Sequence, residues 1–243
     1  GMAPLATILY ELGNEVAGSD IDKYIFIEDE LRKRNIPIYS FNKDNIKDGY
    51  HVIIGNAFDE SNEEVKAALE NPNVKCTRYY DFLADFMEHY VSIAVAGTHG
   101  KTTTTSMLSH ITLSADLDPT ILVGGDVDAI HGNFKIGESE YFVTEACEYK
   151  ASFLKFFPYI GIILNIDADH LDYYRDINHI EDTFKKFSDL IPSDGYLVGC
   201  AEDSRVEEVL KYAKCNTISY GFTKGDVTAT NISFNNKGCA SFT

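Results

Sequence analysis

Three short stretches hold the residues best equipped for chemistry. The first is Gly97-Thr98-His99-Gly100-Lys101-Thr102-Thr103-Thr104. Its glycines let the backbone approach an anion, and a following helix N-terminus would present positive partial charge to it. Lys101 can reach terminal phosphate oxygens, and the Thr102 hydroxyl suits Mg2+. The pattern is the shorter G-x-x-G-K-T, since Val95 stands where the first glycine of G-x-x-x-x-G-K-[ST] would fall. The second stretch is Glu145-Ala146-Cys147-Glu148-Tyr149, with Ser152 close behind, and the third is Asn165-Ile166-Asp167-Ala168-Asp169-His170-Leu171-Asp172. Mg2+ prefers oxygen ligands and keeps waters and phosphates around it, so Thr102 and Glu145 fit a nucleotide-bound ion. His170, next to Asp169 and near Asp167, reads as a ligand of a second divalent ion or as a holder of its carboxylate neighbours. His99 faces either phosphate or solvent. Cys147 has no base beside it in the local sequence, which argues against a nucleophilic thiol.

These stretches need a scaffold, and the surrounding pattern supplies one. Val91–Ala96 is an apolar run that reads as a buried strand leading into the glycine turn, with a helix over Met107–Ala115. Strands are expected at Thr120–Gly125, Tyr141–Ala146 and Ile160–Ile166, the last two carrying Glu145 and the Asn165–Asp172 cluster at their ends. The segment from Asp126 to Ser139 reads as a loop. Apolar residues 151–157 read as helical, followed by an amphipathic helix over Ile177–Leu190, a strand at Gly195–Val198 and a helix over Val206–Ala213. Before the central strand, a helix over residues 1–12 ends at Gly13. A short strand follows at Glu15–Asp20, then a helix near Ile25–Arg34. Strands at Ile36–Tyr39 and His51–Asn56 and helices over Asn62–Leu69 and Arg78–His89 complete this part. An acid at the end of a second strand, such as Asp20, often meets a nucleotide ribose, although Ser-Asp is also an ordinary helix N-cap. This alternation implies parallel sheets with helices on their faces, whose ligands lie beyond the carboxyl ends of the strands. A domain boundary is expected near His89–Tyr90. From Asn216 the chain alternates in strand fashion and stops mid-pattern at Ser241-Phe242-Thr243, which predicts a fragment.

With 243 residues, 44% of them apolar, the chain can bury a large core. Its net charge of −17 argues against a nucleic-acid footprint, which needs a basic face. Any phosphate site must therefore be locally basic against the global field. The five cysteines are scattered, with no C-x-x-C, as expected of reduced thiols in a cytosol. No apolar run is long enough to span a membrane, so a cytoplasmic protein without a membrane partner is expected.

In this order, the three stretches resemble the Mur ligases of peptidoglycan synthesis, and the likeness covers nearly the whole chain. The resemblance implies an α/β protein. A Rossmann-like UDP-sugar-binding domain over residues 1–89, lacking its first strand, would precede an incomplete P-loop-type central ATPase domain with a parallel sheet over 90–243. It implies ATP-dependent ligation through an acyl phosphate, with ATP and Mg2+ as cofactors, in the branch that joins L-alanine to UDP-N-acetylmuramate. Lys101, Glu145 and His170 would be catalytic, and Gly97, Thr98, His99, Gly100, Lys101, Thr102 and Thr103 would hold phosphates. Thr102 and Glu145 would bind one Mg2+ and His170 another. Gly18, Ser19 and Asp20 would meet the uridine, and Glu148 and Ser152 the lactyl end of the sugar. In many relatives Cys147–Lys150 is Asp-Glu-Ser-Asp-like. Phe184 takes the slot of a lysine that is carbamylated in several members. Only Gly1-Met2 would remain of the family's opening glycine-rich loop, with Gly1 a possible cloning remnant, and the amino-acid-binding domain would be absent. Such a fragment is expected to be inactive alone, and a monomer or homodimer. The alternatives are a sibling ligase that adds a recycled murein peptide, a non-catalytic nucleotide-sugar-binding module, and an unrelated P-loop kinase.

Overall fold

A computed structural model describes residues 2–21 and 29–243. The larger part is an eight-stranded sheet. In chain order its strands are β5 (Val91–Ala96), β6 (Thr120–Val127), β7 (Gly132–Lys135), β8 (Tyr141–Glu145), β9 (Ile160–Ile163), β10 (Tyr196–Cys200), β11 (Asn216–Gly221) and β12 (Val227–Thr228). Across the sheet they run β12-β11-β10-β9-β5-β8-β6-β7, all parallel except β7, which is antiparallel to β6. The chain steps from β5 to one side of the sheet, returns through β8, and crosses to β9 on the other side. The reversal falls at β5, where ligands of open α/β sheets bind.

Apolar content on both faces makes β5 a central strand: Ala94, Val95 and Ala96 are fully buried. On one face Ala94, Ala96, Phe142, Ile163 and Leu197 meet the amphipathic helix α6 (Ile177–Ser188) through Ile180, Phe184 and Phe187. Phe153 stacks on Phe187 at 4.8 Å between centroids and meets Phe184 edge-on at 5.1 Å. Each such ring contributes about 1.5–3 kcal/mol by leaving water. On the other face Ile121, Val123, Val127 and Val143 pack with Leu108 and Leu113 of α5 (Lys101–Ser114). Helix α7 (Ser204–Tyr212) starts at Asp203, whose carboxylate accepts from the Arg205 and Val206 amides.

The N-terminal part is built from smaller pieces: α1 (Met2–Glu11), β1 (Gly18–Asp20), α2 (Asp29–Lys33), β2 (Ile38–Ser40), β3 (His51–Ile54), α3 (Glu63–Glu70), β4 (Lys75–Arg78) and α4 (Tyr79–Met87). Strands β1 and β2 form one parallel pair, β3 and β4 another. Ile8 of α1 and Leu83, Ala84 and Met87 of α4 enter the same core as Leu122, Phe134 and Phe142 of the large sheet. An antiparallel pair, β13 (Ser233–Phe234) with β14 (Ala240–Ser241), ends the chain.

Several expectations change. Helix α5 begins at Lys101, six residues before the expected start, because Gly100 turns left-handed (φ 86°) and launches it directly from the loop. Its β-branched threonines are poor helix formers. Here Thr105 and Thr112 return their hydroxyls to carbonyls four residues back. The loop expected over Asp126–Ser139 contains the edge strand β7, and β4 was not anticipated. Both are short and polar, with only Phe134 buried, so periodicity gave little sign of them. Strand β9 ends at Ile163, because Leu164 and Asn165 turn to meet the glycine loop. Residues 149–155 form 3-10 turns broken by left-handed Lys150 and Ala151. Helix α2 lies within the expected Ile25–Arg34 helix, whose residues up to 28 fall outside the described residues, as does Gly1.

Candidate nucleotide site at the centre of the large sheet

Three adjacent strands end together: β5 in the glycine loop, β8 in Glu145, and β9 in the segment 164–172. Gly97 (φ 138°) approaches that segment so closely that a Cβ would lie 3.0 Å from the Leu164 Cβ. The first bond of α5 runs from the Thr104 amide to the Gly100 carbonyl at 2.9 Å. The amides of Gly100, Lys101, Thr102 and Thr103 lie ahead of it, without partners inside the helix, in the arrangement that holds an anion. Thr98 and His99, expected to share this task, have other partners. The Thr98 amide donates to the Asn165 carbonyl at 3.2 Å and the His99 amide to Asn165 Oδ1 at 2.8 Å. The His99 ring is two-thirds exposed and stands 3.9 Å from Asp167 Oδ2.

Lys101 folds back over the loop, with Nζ 2.6 Å from the Gly97 carbonyl and 2.8 Å from Glu148 Oε2. The Glu148 side chain is only 3% exposed. Its other oxygen, Oε1, has no hydrogen-bond partner and lies 3.6 Å from His170 Nε2. Buried carboxylate oxygens are normally satisfied, so this one marks a place for a further positive group. Tyr174, almost fully buried, donates its hydroxyl to the Glu148 carbonyl and fixes the backbone from behind. Burial pushes the Tyr174 hydroxyl well above its ordinary pKa, so it remains a donor. The Tyr149 ring packs on His170 at 4.8 Å, and its hydroxyl donates to Asp172 at 3.1 Å. Asp169 accepts the His170 amide at 2.7 Å. Lys150, Ala151 and His170 all adopt left-handed backbone (φ 52–54°), and strain of this kind gathers at functional sites.

The carboxylate that Lys101 and His170 share is therefore Glu148, three residues beyond Glu145. Glu145 instead accepts from the Gly124 amide at 2.8 Å, within β6. The next residue, Gly125, lies against Thr102, whose Cγ2 would be 3.0 Å from a Cβ there. Thr102 and Glu145 thus meet neighbouring glycines of β6. Of the residues expected at the sugar, Glu148 faces Lys101 and His170, while Ser152 is buried and donates to the Tyr149 carbonyl at 2.7 Å. Gly18, Ser19 and Asp20 form β1 on its separate sheet, with Ser19 Oγ 3.4 Å from Asn45 Nδ2. Glu148 was present in the motif from the start. Its pairing needs Lys101 and Glu148, 47 residues apart, to meet, and no local spacing encodes that meeting.

Burial, ahead of every other influence, raises the Cys147 thiol above its ordinary pKa, so no reactive thiolate forms there. Phe184 lies in the core and Lys185 pairs with Glu181 at 2.8 Å, so α6 sends an aromatic ring, not an amine, toward the centre. Among the described residues no three His, Cys, Asp or Glu side chains gather to hold a metal by themselves. A nucleotide-bound Mg2+ needs fewer, because phosphates and waters fill its shell. The orphaned Glu148 oxygen beside His170 suits such an ion.

Comparison with known proteins identifies the chain's relatives. Residues 95–243 match the Mur ligase middle domain, and residues 1–91 match a model described as Mur ligase family, catalytic domain. UDP-N-acetylmuramate–L-alanine ligases of Clostridium perfringens and Clostridium tetani are 57% and 56% identical over 99% of this chain. The chain spans about half the length of these curated relatives, 53% in each case. The UDP-N-acetylmuramate–alanine ligase of Thermotoga maritima superposes with a TM-score of 0.83 at 29% identity, over 96% of this chain and 53% of that one. A UDP-N-acetylmuramate:L-alanyl-γ-D-glutamyl-meso-diaminopimelate ligase of Neisseria superposes with a TM-score of 0.87 at 26% identity, over all of this chain and 80% of that one. With its middle-domain match covering more than half the sequence, this chain belongs to the Mur ligase family.

Proposed function

We propose that this chain supplies the UDP-sugar and ATP sites of a ligase that joins L-alanine to UDP-N-acetylmuramate. The carboxylate of the sugar takes the γ-phosphoryl group of ATP, releasing ADP and forming an acyl phosphate. The amine of alanine then displaces phosphate and leaves an amide. The observation that carries this reading is the meeting of Lys101, Glu148 and His170 beside a helix N-terminus whose leading amides are open. The identity of 57% to an L-alanine ligase, against 26% to the tripeptide-adding structure, favours alanine as the amine.

In this reading the amides of residues 100–103 and Lys101 hold the phosphates, Thr102 with Glu145 holds one Mg2+, and Glu148 with His170 holds the other. The ions, when bound, offset repulsion between the anionic carboxylate and the γ-phosphate. Glu148 keeps Lys101 in place until phosphates compete for the ammonium, and Tyr149 and Asp169 hold His170 facing Glu148. β1 offers Gly18–Asp20 to the uridine. We place the division between sugar and nucleotide domains at residues 89–90. It is supported by the separate family matches on either side and by the separate sheets. A pathway that uses ATP and a UDP-sugar fits a cytoplasmic protein, and no helix among the described residues is long and apolar enough to cross a membrane.

Calorimetric titration of the 243-residue chain tests the proposal. Mg-ADP and UDP-N-acetylmuramate should each bind, and Lys101→Met should weaken Mg-ADP by at least ~100-fold by removing charge-assisted bonds to phosphate. Binding of nucleotide without the sugar would overturn the ligase reading in favour of a P-loop kinase. Binding of the sugar alone would favour a non-catalytic module.

A further inference from the structure

We propose that Asn165 is the positioning residue of the phosphate loop, an inference that rests on the nucleotide reading above. Its side-chain amide grips one residue twice. Oδ1 accepts the His99 amide at 2.8 Å, and Nδ2 donates to the His99 carbonyl at 3.0 Å. A neighbouring strand would make the same pair of bonds, but here a single carboxamide does so across the gap between β5 and β9.

The consequence follows from peptide planarity. The His99 carbonyl and the Gly100 amide belong to one rigid trans unit and point in opposite directions. Fixing the carbonyl on Asn165 therefore aims the Gly100 N–H away from Asn165. That amide is the first of the four without a partner in α5. The grip is firm because Asn165 is itself held on both sides. The Leu164 amide donates to the Ala96 carbonyl at 3.1 Å, in the sheet. The Ile166 amide donates to Asp203 Oδ2 at 3.0 Å, and Asp203 also caps α7. Thr98 adds a second stitch, its hydroxyl accepting the Asp167 amide at 2.9 Å. The side chain of Asn165 thus connects a fixed frame to a loop whose glycines would otherwise let it wander.

Titration of the 243-residue chain with Mg-ADP and, separately, UDP-N-acetylmuramate tests the assignment. Asn165→Ala should weaken Mg-ADP about tenfold, the effect of two lost hydrogen bonds, and leave the sugar affinity unchanged. Asn165→Asp keeps an acceptor for the His99 amide but has no donor for the carbonyl. It should lose much of the same affinity, and it carries the test if the alanine variant does not fold. Unchanged Mg-ADP affinity in a folded variant would overturn the assignment, as would equal weakening of both ligands. Failure of the unsubstituted chain to bind Mg-ADP would instead remove the nucleotide reading on which it stands.

Discussion

The two parts of the molecule solve the problem of burial differently. The eight-stranded sheet buries both faces and fills one with stacked phenylalanines, so it positions its strand ends by itself. The described N-terminal part has only two-stranded sheets, and its own buried side chains are mostly aliphatic: Leu31, Ile36, Ile54, Val65 and Ala68. Pairs of strands are marginal without a partner surface. The N-terminal part finds that surface in its neighbour, because Ile8, Leu83, Ala84 and Met87 join the large core. A strong frame carries the candidate site, and the lighter part leans on it through α1 and α4.

The sharpest way to break this contrast is at the aromatic stack. Phe184→Ala should cost ~3–5 kcal/mol, as large cavities in closed cores do, and urea unfolding would measure it. A cost below ~1 kcal/mol would mean that the frame is looser than its packing implies. Ile8→Ala comes next, at about 2–4 kcal/mol. Since Ile8 belongs to the first part by sequence and to the second by contact, one cooperative transition should shift as a whole. Two separate transitions, with only the smaller one moved, would show that the parts fold independently. The smallest effect concerns Glu181 on α6. Its hydrogen bond from Lys185, ahead of that from Arg205, holds its carboxyl below the ordinary 4.5. A depressed folded pKa gives stability that is complete above the unfolded value and lost as pH falls through the folded one. Glu181→Gln should therefore flatten the acid limb of the stability profile by under ~1 kcal/mol, because the pair is partly solvated. It should leave neutral-pH cooperativity intact, as followed by urea midpoints across acid pH.

Sequence reasoning reached the frame more easily than the site. The apolar runs at 91–96 and 160–163 and the glycine turn between β5 and α5 declare themselves through local pattern. β4 and β7 did not, because polar edge strands alternate weakly. Thr102–Thr105 hid the true start of α5, since β-branched residues are poor helix formers and only the left-handed turn at Gly100 launches the helix there. In the site, residue types were legible and partners were not. Lys101 and His170 stand out by motif, yet nothing in Glu145-Ala146-Cys147-Glu148 says which acid turns toward them. That choice is made by the left-handed turn at Lys150–Ala151 and by the Tyr174 hydroxyl beneath Glu148, both of which exist only once distant segments have met.

The register between β8, β5 and β9 has a further consequence. Val95 pairs with Glu145, and Ala96 with Ile163, so the three exits are levelled by the ladder itself. Lengthening a connection elsewhere leaves that level untouched. Deleting one residue inside β5 would draw its exit down by about 3.3 Å and turn every following side chain to the opposite face. The sheet thus acts as a gauge: these two rungs hold the three exits in step, whatever the length of the joins between the strands.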